Sequence, residues 1–561
     1  MTESQPPRSA FLDELAGCCR VLREPAERLA YARDAWPLGH LGHAAGDPER
    51  LGRRPLAVAC PAGEEEVSAA LACCHRHGVA VVPWGEGSGV CGGTLTGPDA
   101  IALDLKALDR VEDIDSESLT VRVQCGINGR VLEQTLERSG LTLGHSPSSI
   151  LCSTLGGWLA ARSAGQFSTR YGKIEDMVLS LRVVLADGEI CETVTAPRSA
   201  TGPDWNQIFV GSEGTLGVIV AATLRVWRLP ERRAFLSVEM ANLEAALGAM
   251  RELLQQGIRP AALRLYDPLD TLLVGAGHDH APVEGDPEEA PVGPDWPLSG
   301  LGLGGLNRFV SKLPGAAGKL GKSLALRAPG LANRVADAWA GACLMIVAFE
   351  GTRRLVDAEL LEARRILIEA GGGKDLGPER AETWYRNRHA VSFKQSEVFR
   401  MGAFSDTMEV ATTWSRLPAL YDAVRAALAP HALVLAHFSH AYAEGCSIYF
   451  TMAARCASPE EAIERYHTLW KAGLDAVVDQ GAAVSHHHGI GVLKAAAFKR
   501  SLGPLHARLE ALKSALDPRW ILNPGKLGLE PPGDAADERG ASETTTRRAA
   551  VKDAPEPQES P

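Results

Sequence analysis

Pro83-Trp84-Gly85-Glu86-Gly87-Ser88-Gly89-Val90 follows directly on an apolar run, Val79-Ala80-Val81-Val82. The run reads as a strand. The glycines after it let the backbone turn with several N–H groups aimed at one anion, which suits a pyrophosphate. The spacing is not G-x-G-x-x-G, no helix clearly opens after it, and the lysine of a P-loop is absent. Alone, the stretch also fits a glycine-rich surface turn, so its neighbours must decide.

Working outward, residues 10 to 50 read as helical, with Leu12, Leu15, Val21 and Leu22 on one face. Ala57-Val58-Ala59 reads as a short strand and Glu64 to His77 as an amphipathic helix. Beyond the loop, strands are expected at Ala100 to Leu105 and Leu119 to Cys125, with a helix from Asn128 to Ser139. From Met177 to Trp227 β-branched runs again alternate with turns, and Pro230 closes the region. The expected division is an N-terminal helical segment 1–54, a first domain 55–232 and a substrate domain 233–480 with an insert at 276–340. A segment 481–530 is expected to return to the first domain. The tail 531–561 has too few large apolar residues to order itself.

A chain of 561 residues is too long for one ordinary core. Its 45% hydrophobic and 23% charged residues are those of a soluble globular protein. A net charge of −11 argues against nucleic-acid binding, which needs a basic excess. The twelve cysteines include the adjacent pairs Cys18-Cys19 and Cys73-Cys74, and no C-x-x-C pair has zinc-site spacing. Neither a disulfide scaffold nor a metal site is expected, and reduced thiols suit a cytoplasmic protein. Neither a signal peptide nor a membrane span is expected. Residues 279–295 are acidic and proline-rich. From Trp296 to Ala336 the chain has no acidic residue and sets Arg308, Lys312, Lys319 and Lys322 among leucines.

Two further glycine segments follow the first. One is Ser153-Thr154-Leu155-Gly156-Gly157-Trp158, continuing to Ala161-Arg162-Ser163-Ala164-Gly165 and Tyr171-Gly172. The other is Gly211-Ser212-Glu213-Gly214-Thr215-Leu216-Gly217-Val218-Ile219. In this order the three resemble the FAD-binding domain of the vanillyl-alcohol-oxidase-like (PCMH-type) flavoprotein superfamily, and Asn523-Pro524-Gly525-Lys526 extends the likeness. The resemblance implies an α+β chain, in which a PCMH-type domain of two α/β subdomains carries a cap domain with an antiparallel sheet. It implies FAD contacts at Pro83, Gly85, Glu86, Gly87, Ser88, Gly89 and Val90, and at Ser153, Thr154, Gly156, Gly157, Ala161, Ser163, Gly165 and Tyr171. Glu213, Gly214, Gly217, Ile219 and Asn523 complete the set. The loop offers Glu86, Gly87 and Ser88 where some members tether flavin through His or Cys, so noncovalent FAD is expected. Cys91 reads as a buried apolar residue.

Val484-Ser485-His486-His487-His488-Gly489-Ile490-Gly491 is expected to end a strand, with His486 and His488 on one face and His487 on the other. Three histidines also suit a metal site or a solvated loop. S-H-H-H-G-x-G resembles the histidine motif of the alkylglycerone-phosphate synthase family. Gly144-His145-x-Pro147, leading to Thr154, is similar to that family's segment approaching the flavin. Leu263-Arg264-Leu265-Tyr266-Asp267 is similar to one whose arginine contacts substrate. Gly445-Cys446-Ser447-Ile448-Tyr449-Phe450 is similar to the one holding its acid/base tyrosine. Arg400 is the candidate for a second arginine.

The resemblance implies exchange of the acyl group of acyl-dihydroxyacetone phosphate for a fatty alcohol, in ether-lipid biosynthesis and without net oxidation. His487 would be the base, flanked by His486 and His488. Tyr449 would relay the proton, Arg264 and Arg400 would fix anions, and Thr154 and His145 would hydrogen-bond near the flavin. It also implies lipid substrates, a homodimer and peripheral membrane contact through residues 296–336. The alternative is an FAD-linked 2-hydroxyacid dehydrogenase of the D-lactate or glycolate type. That reading draws on Trp384-Tyr385-Arg386-Asn387-Arg388-His389, a W-x-x-x-R helix associated with oxidising members.

Overall fold

The computed structural model describes residues 8–46, 53–275, 329–330, 333–334, 341–389 and 403–532. Arg400 and nearly all of the 276–340 insert, including the basic stretch, lie outside the described residues.

The glycine loop leaves the end of strand Ala80–Trp84, which pairs in parallel with Ala100–Asp104. That strand pairs in parallel with Ala57–Cys60. Helix Glu64–His77 makes the crossover between the first two segments of this sheet and buries Val67, Leu71 and Cys74 against it. It begins with Glu64, Glu65 and Glu66, ends with His75, Arg76 and His77, and stops at Gly78 in the left-handed region, as its dipole and C-cap favour.

Residues 10 to 50 are not continuously helical. Helices Arg8–Cys18, Pro25–Leu29 and Pro37–Ala44 are separated by strand Arg20–Leu22, which pairs antiparallel with Ala57–Cys60. The prolines sit at the first helical turn, where a missing N–H costs nothing. Each restarts a helix rather than continuing one.

A second sheet is antiparallel, in the order Val111–Asp115, Thr120–Gln124, Val218–Arg225, Val178–Val184, Ile190–Glu192. Helix Gly129–Arg138 follows it, with Asn128 accepting the Arg130 amide as N-cap. The third sheet has seven strands, all paired antiparallel. Their order is Lys374–Asp375, Arg232–Met240, Cys343–Gly351, Ala262–Tyr266, Leu433–Ala441, Gly445–Arg455, Ala403–Thr413. Helices Leu243–Gln255, Leu417–Leu428 and Pro459–Asp479 bury one face of it in the largest apolar core. The other face packs in part on helix Glu379–Asn387 and the first domain's core and, toward strands Leu433–Ala441, Gly445–Arg455 and Ala403–Thr413, carries polar side chains.

The chain returns to its beginning at the end. Leu522 bridges Val81 in parallel, and the Asn523 amide donates to the Val81 carbonyl at 2.8 Å.

Candidate active site

The glycine loop has the form of an anion cradle. Gly87 and Gly92 lie in the left-handed region at φ 64° and 75°. The amides of residues 85–90 donate to no protein acceptor among the described residues. Behind the loop, the Ala35 amide holds the carbonyls of Gly87 and Gly89, each at 3.0 Å. A Cβ on Gly85 would overlap Thr154 Oγ1, which caps helix Leu155–Ala161 by accepting the Gly157 amide. Two glycine segments thus meet at Gly85 and Thr154 with no room for a side chain. Gly156 packs on the Cys125 backbone and Gly165 on the His145–Ser146 backbone in the same way.

Several polar side chains expected at the flavin hold protein partners in this structure. Glu86 accepts the Asn128 side-chain amide at 2.9 Å. Ser153 donates to the Ser149 carbonyl and accepts the Trp158 indole N–H at 2.8 Å. Tyr171 donates to Glu350 at 2.6 Å, joining the flavin region to the seven-stranded sheet. Glu213 stands at φ 51°, and its buried carboxylate accepts the amides of Ile490 and Gly491 at 2.5 and 2.9 Å. Asn523 donates to the carbonyls of Gly93 and Glu213. Glu213 and Asn523 therefore clamp the glycine loop, the 211–219 segment and the histidine segment together, and the loop offers an anion mainly backbone N–H groups. Gly214 and Gly217 pack against Pro83 and Val183, and Ile219 is buried in the core.

The residues present fit FAD. The glycine cradle has unengaged amides, and His145, 1% exposed, has no partner at either ring nitrogen while it packs on Trp158 at 4.6 Å. Burial holds His145 neutral, with its pKa driven down to about 3. Cys91 is buried, and the loop itself offers neither His nor Cys for a tether.

The substrate side is organised by strand register. Tyr266 lies opposite His437, His437 opposite Tyr449, and Tyr449 opposite Glu409, one row across four strands. Directly opposed residues share a face, so the row presents four polar side chains together. The His437 ring stacks on Tyr449 at 4.7 Å, and Arg264 Nη2 meets His437 Nε2 at 2.6 Å. Arg264 Nε, although buried, has no partner.

The triple histidine does not end a strand. Only Ala483 bridges to Ala411, and the chain then bends around Glu409. This carboxylate, fully buried, accepts the amides of His486 and His488 at 3.0 and 2.7 Å. It also accepts Ser485 Oγ at 2.6 Å and Lys494 Nζ at 2.9 Å. The backbone bends through 486–488 instead of running as a strand, so the two-residue alternation is lost and the His487 ring lies against its neighbours. His486 Nδ1 meets His487 Nδ1 at 3.0 Å, and the His487 and His488 rings lie 4.6 Å apart. The His487 ring lies nearly parallel to that of Tyr449, 6.0 Å away.

Other groups that the motif reading missed surround this cluster. His440 packs on His486 and His487 at 5.2 and 4.8 Å and meets Ser168 Oγ at 2.8 Å. Tyr442 reaches His486 Nε2 at 3.1 Å, and Lys173 donates to the His486 carbonyl at 2.7 Å. Burial, reinforced by neighbouring imidazoles and Lys173, holds His486 and His487 well below the usual histidine range. Burial likewise takes His488 down to about 4 and His440 to about 3. These imidazoles are neutral, and burial makes each a weaker proton acceptor than a free histidine. Burial pushes the Tyr449 hydroxyl up to about 12, so it keeps its proton for donation.

The Trp384–His389 segment reaches the first domain at Ser146 and Gln166. Its helix runs Glu379–Asn387, the Arg388 carbonyl accepts the Gln166 side-chain amide, and His389 Nε2 meets Ser146 Oγ at 3.2 Å.

Comparison with known proteins agrees with this geometry. Residues 55–193 match the family described as FAD binding domain, and residues 229–527 match FAD linked oxidases, C-terminal domain. The chain belongs to the FAD-linked oxidases, as an alkyldihydroxyacetonephosphate-synthase-like member of the PCMH-type flavoprotein superfamily. Its cofactor is FAD. It is 30% identical to an alkyldihydroxyacetonephosphate synthase of Trypanosoma brucei brucei, over 94% of this chain and 82% of that one. It is also 30% identical to the uncharacterised FAD-linked oxidoreductase YgcU of Escherichia coli O157:H7, over 84% and 89%. A solved alkyldihydroxyacetonephosphate synthase shares the fold at TM-score 0.69 and 24% identity, covering 94% of this chain and 87% of that one. Among the described residues no helix is long and apolar enough to cross a membrane.

Proposed function

We propose that this flavoprotein exchanges the acyl group of acyl-dihydroxyacetone phosphate for a long-chain alcohol. The observation that carries the reading is His487, a buried neutral imidazole, stacked beside the proton-bearing Tyr449. Removing a proton beside a carbonyl needs a neutral base, and returning one needs a nearby acid. His487 takes the first role and Tyr449 the second. Arg264, one nitrogen on His437 and another unpartnered, binds the anionic end of the substrate. His145 and Thr154 orient the carbonyl on the flavin side. Bound FAD, which the glycine cradle and His145 would hold, would supply an electron-poor ring system for the reacting carbon. The ester C–O bond breaks as the fatty acid leaves and an ether C–O bond forms with the alcohol, so nothing is oxidised overall. The relatives that bear this activity in their names support the reading.

A second reading, FAD-linked oxidation of a 2-hydroxyacid, is favoured by His389 beside Ser146 on the flavin side. Relatives named as oxidoreductases point the same way, such as glycolate oxidase subunit GlcD of Bacillus subtilis, 27% identical over 90% of this chain and 92% of that one. One assay separates the two. FAD-loaded enzyme receives acyl-dihydroxyacetone phosphate and an isotopically labelled alcohol, and mass spectrometry seeks labelled alkyl-dihydroxyacetone phosphate with released fatty acid. Labelled product lost in His487→Ala supports the exchange. Flavin bleaching by a D-2-hydroxyacid, with no labelled product, would replace it by the oxidation.

A further inference from the structure

Helix Arg8–Cys18 packs against helix Glu64–His77. Each offers two ligand-type side chains one turn apart: Glu14 and Cys18 on the first, Cys73 and His77 on the second. Residues four apart share a helix face, so the two pairs meet across the seam. Glu14 Oε2 lies 2.7 Å from His77 Nε2. The ligand atoms of Glu14, Cys73 and His77 all fall within 4.8 Å of one another. Cys18, one turn from Glu14, turns its thiol to the Glu14 carbonyl at 3.5 Å, and burial pushes the Cys73 thiol up to about 12, with Glu14 and Cys18 adding to the shift. Cys73 is fully buried and Glu14 is exposed, giving the cluster a closed floor and an open mouth.

We propose that Glu14, Cys73 and His77 form the core of a binding site for a divalent metal ion of the zinc class, with Cys18, one helix turn from Glu14, swinging in as the fourth ligand. Two sulfurs, one imidazole and one carboxylate oxygen match the ligand types and coordination number of tetrahedral zinc, and disfavour magnesium and calcium. Zinc holds such atoms at 2.0–2.3 Å, so neighbouring ligands stand roughly 3.3–3.8 Å apart in a tetrahedral site. To reach that, Glu14 Oε2 and His77 Nε2, now 2.7 Å apart, must part slightly, while the Cys73 thiol closes on them and Cys18 turns in. The ion replaces the proton between His77 Nε2 and Glu14 Oε2, and both thiols give up theirs. Arg76 pairs with Glu14 through the other oxygen, so it can orient the carboxylate from outside the coordination sphere. The bound ion pins the N-terminal helix to the crossover helix of the first sheet.

The test uses the full-length, FAD-loaded protein, reduced, stripped with a chelator and titrated with cobalt(II). The expected result is a tetrahedral ligand-field spectrum with thiolate-to-cobalt charge transfer, saturating at equimolar metal and displaced by zinc. Cys73→Ser and Cys18→Ser weaken or remove the charge-transfer band, and His77→Gln weakens binding at least about 10-fold while flavin content stays at the wild-type level. Because Cys73 is a core residue, the exposed-side variants His77→Gln and Glu14→Gln decide the matter if Cys73→Ser does not fold. A charge-transfer band that never appears, or that survives unchanged in His77→Gln and Glu14→Gln, overturns the site.

Discussion

Glu409 and Tyr449 face each other across one rung of the seven-stranded sheet, and the carboxylate of Glu409 holds the bend that brings His487 alongside the Tyr449 ring. The proposed base is thus placed by a buried anion, whose countercharge is the equally buried Lys494. Neither Glu409 nor Lys494 needs to touch substrate for the chemistry to depend on them.

Glu409→Gln leaves Lys494 charged and unpaired in the core, which costs about 3–5 kcal/mol of stability. Turnover falls with it as the histidine loop loosens. Glu409→Gln combined with Lys494→Met recovers much of the stability, seen in the denaturant midpoint, while turnover stays low. Wild-type turnover in that double variant would refute the positioning role. Lys494 and the donors around Glu409 overcome burial and hold its pKa near 2, below its ordinary 4.5. Its contribution is complete above pH 4.5 and disappears as pH falls toward 2, so wild-type and Glu409→Gln stabilities converge over that interval.

Gly85→Ala tests the cradle. The new Cβ overlaps Thr154 Oγ1, which is fixed as a helix cap, so the loop must move. The variant is expected to fold and to lose most of its FAD on gel filtration, read as the ratio of flavin to protein absorbance. Full flavin retention would place the pyrophosphate elsewhere.

Much of this arrangement was legible in the sequence because it is local. The strand-then-glycine pattern at 79–93, the helix Glu64–His77 and the capped helix after Asn128 each depend on neighbours a few residues away. What stayed hidden depends on distant partners. Glu409 reads as one acid in an alternating strand, and nothing near it in sequence reveals that it faces residues 485–488. His440 lies three residues after His437, a spacing that puts them on opposite faces of a regular strand. A bulge between Ser439 and Ala441, with His440 at φ 55°, turns it toward His486 instead. The Glu14, Cys18, Cys73 and His77 grouping carries no C-x-x-C signature because its spacing is that of helix turns on two separate helices.

Tyr449→Phe keeps the ring and removes the hydroxyl. Its packing on His437 and His487 persists, so the melting temperature should move little. Turnover should fall by about 10²–10⁴, the usual worth of a positioned proton donor or acceptor. An unchanged rate would move the proton relay to Tyr442 or His440.

Asp270 gives an alkaline signature. Burial and the neighbouring Asp267 push its carboxyl up to about 8 from an ordinary 3.8, so it is largely protonated at neutral pH. Its 3.6 Å contact with His437, itself held neutral by burial, is therefore not an ion pair. A raised folded pKa means stability that is complete below 3.8 and is lost as pH rises through about 8. Asp270→Asn should remove that loss, so its advantage over wild type in denaturant midpoint grows between pH 4 and pH 8. An advantage that shrinks with pH would show that Asp270 is ionised in the native state.

Arg264 separates substrate binding from the proton chemistry. Its Nη2 is held by His437, its guanidinium lies over the Tyr266 ring at 5.4 Å, and its Nε is buried without a partner. Such a group is fixed in place and still has hydrogen-bonding capacity for an anion. Arg264→Lys keeps the charge but loses the planar fork that a phosphate or carboxylate can engage at two points. It should raise KM by about 10-fold, and Arg264→Gln by about 100-fold, since charge-assisted hydrogen bonds contribute about 1.5–3 kcal/mol each. Because His487 and Tyr449 remain stacked, kcat at saturating substrate should fall far less than in Tyr449→Phe. If kcat collapses while KM holds, Arg264 acts on the reacting centre through His437, and the anion-binding role passes to another cation.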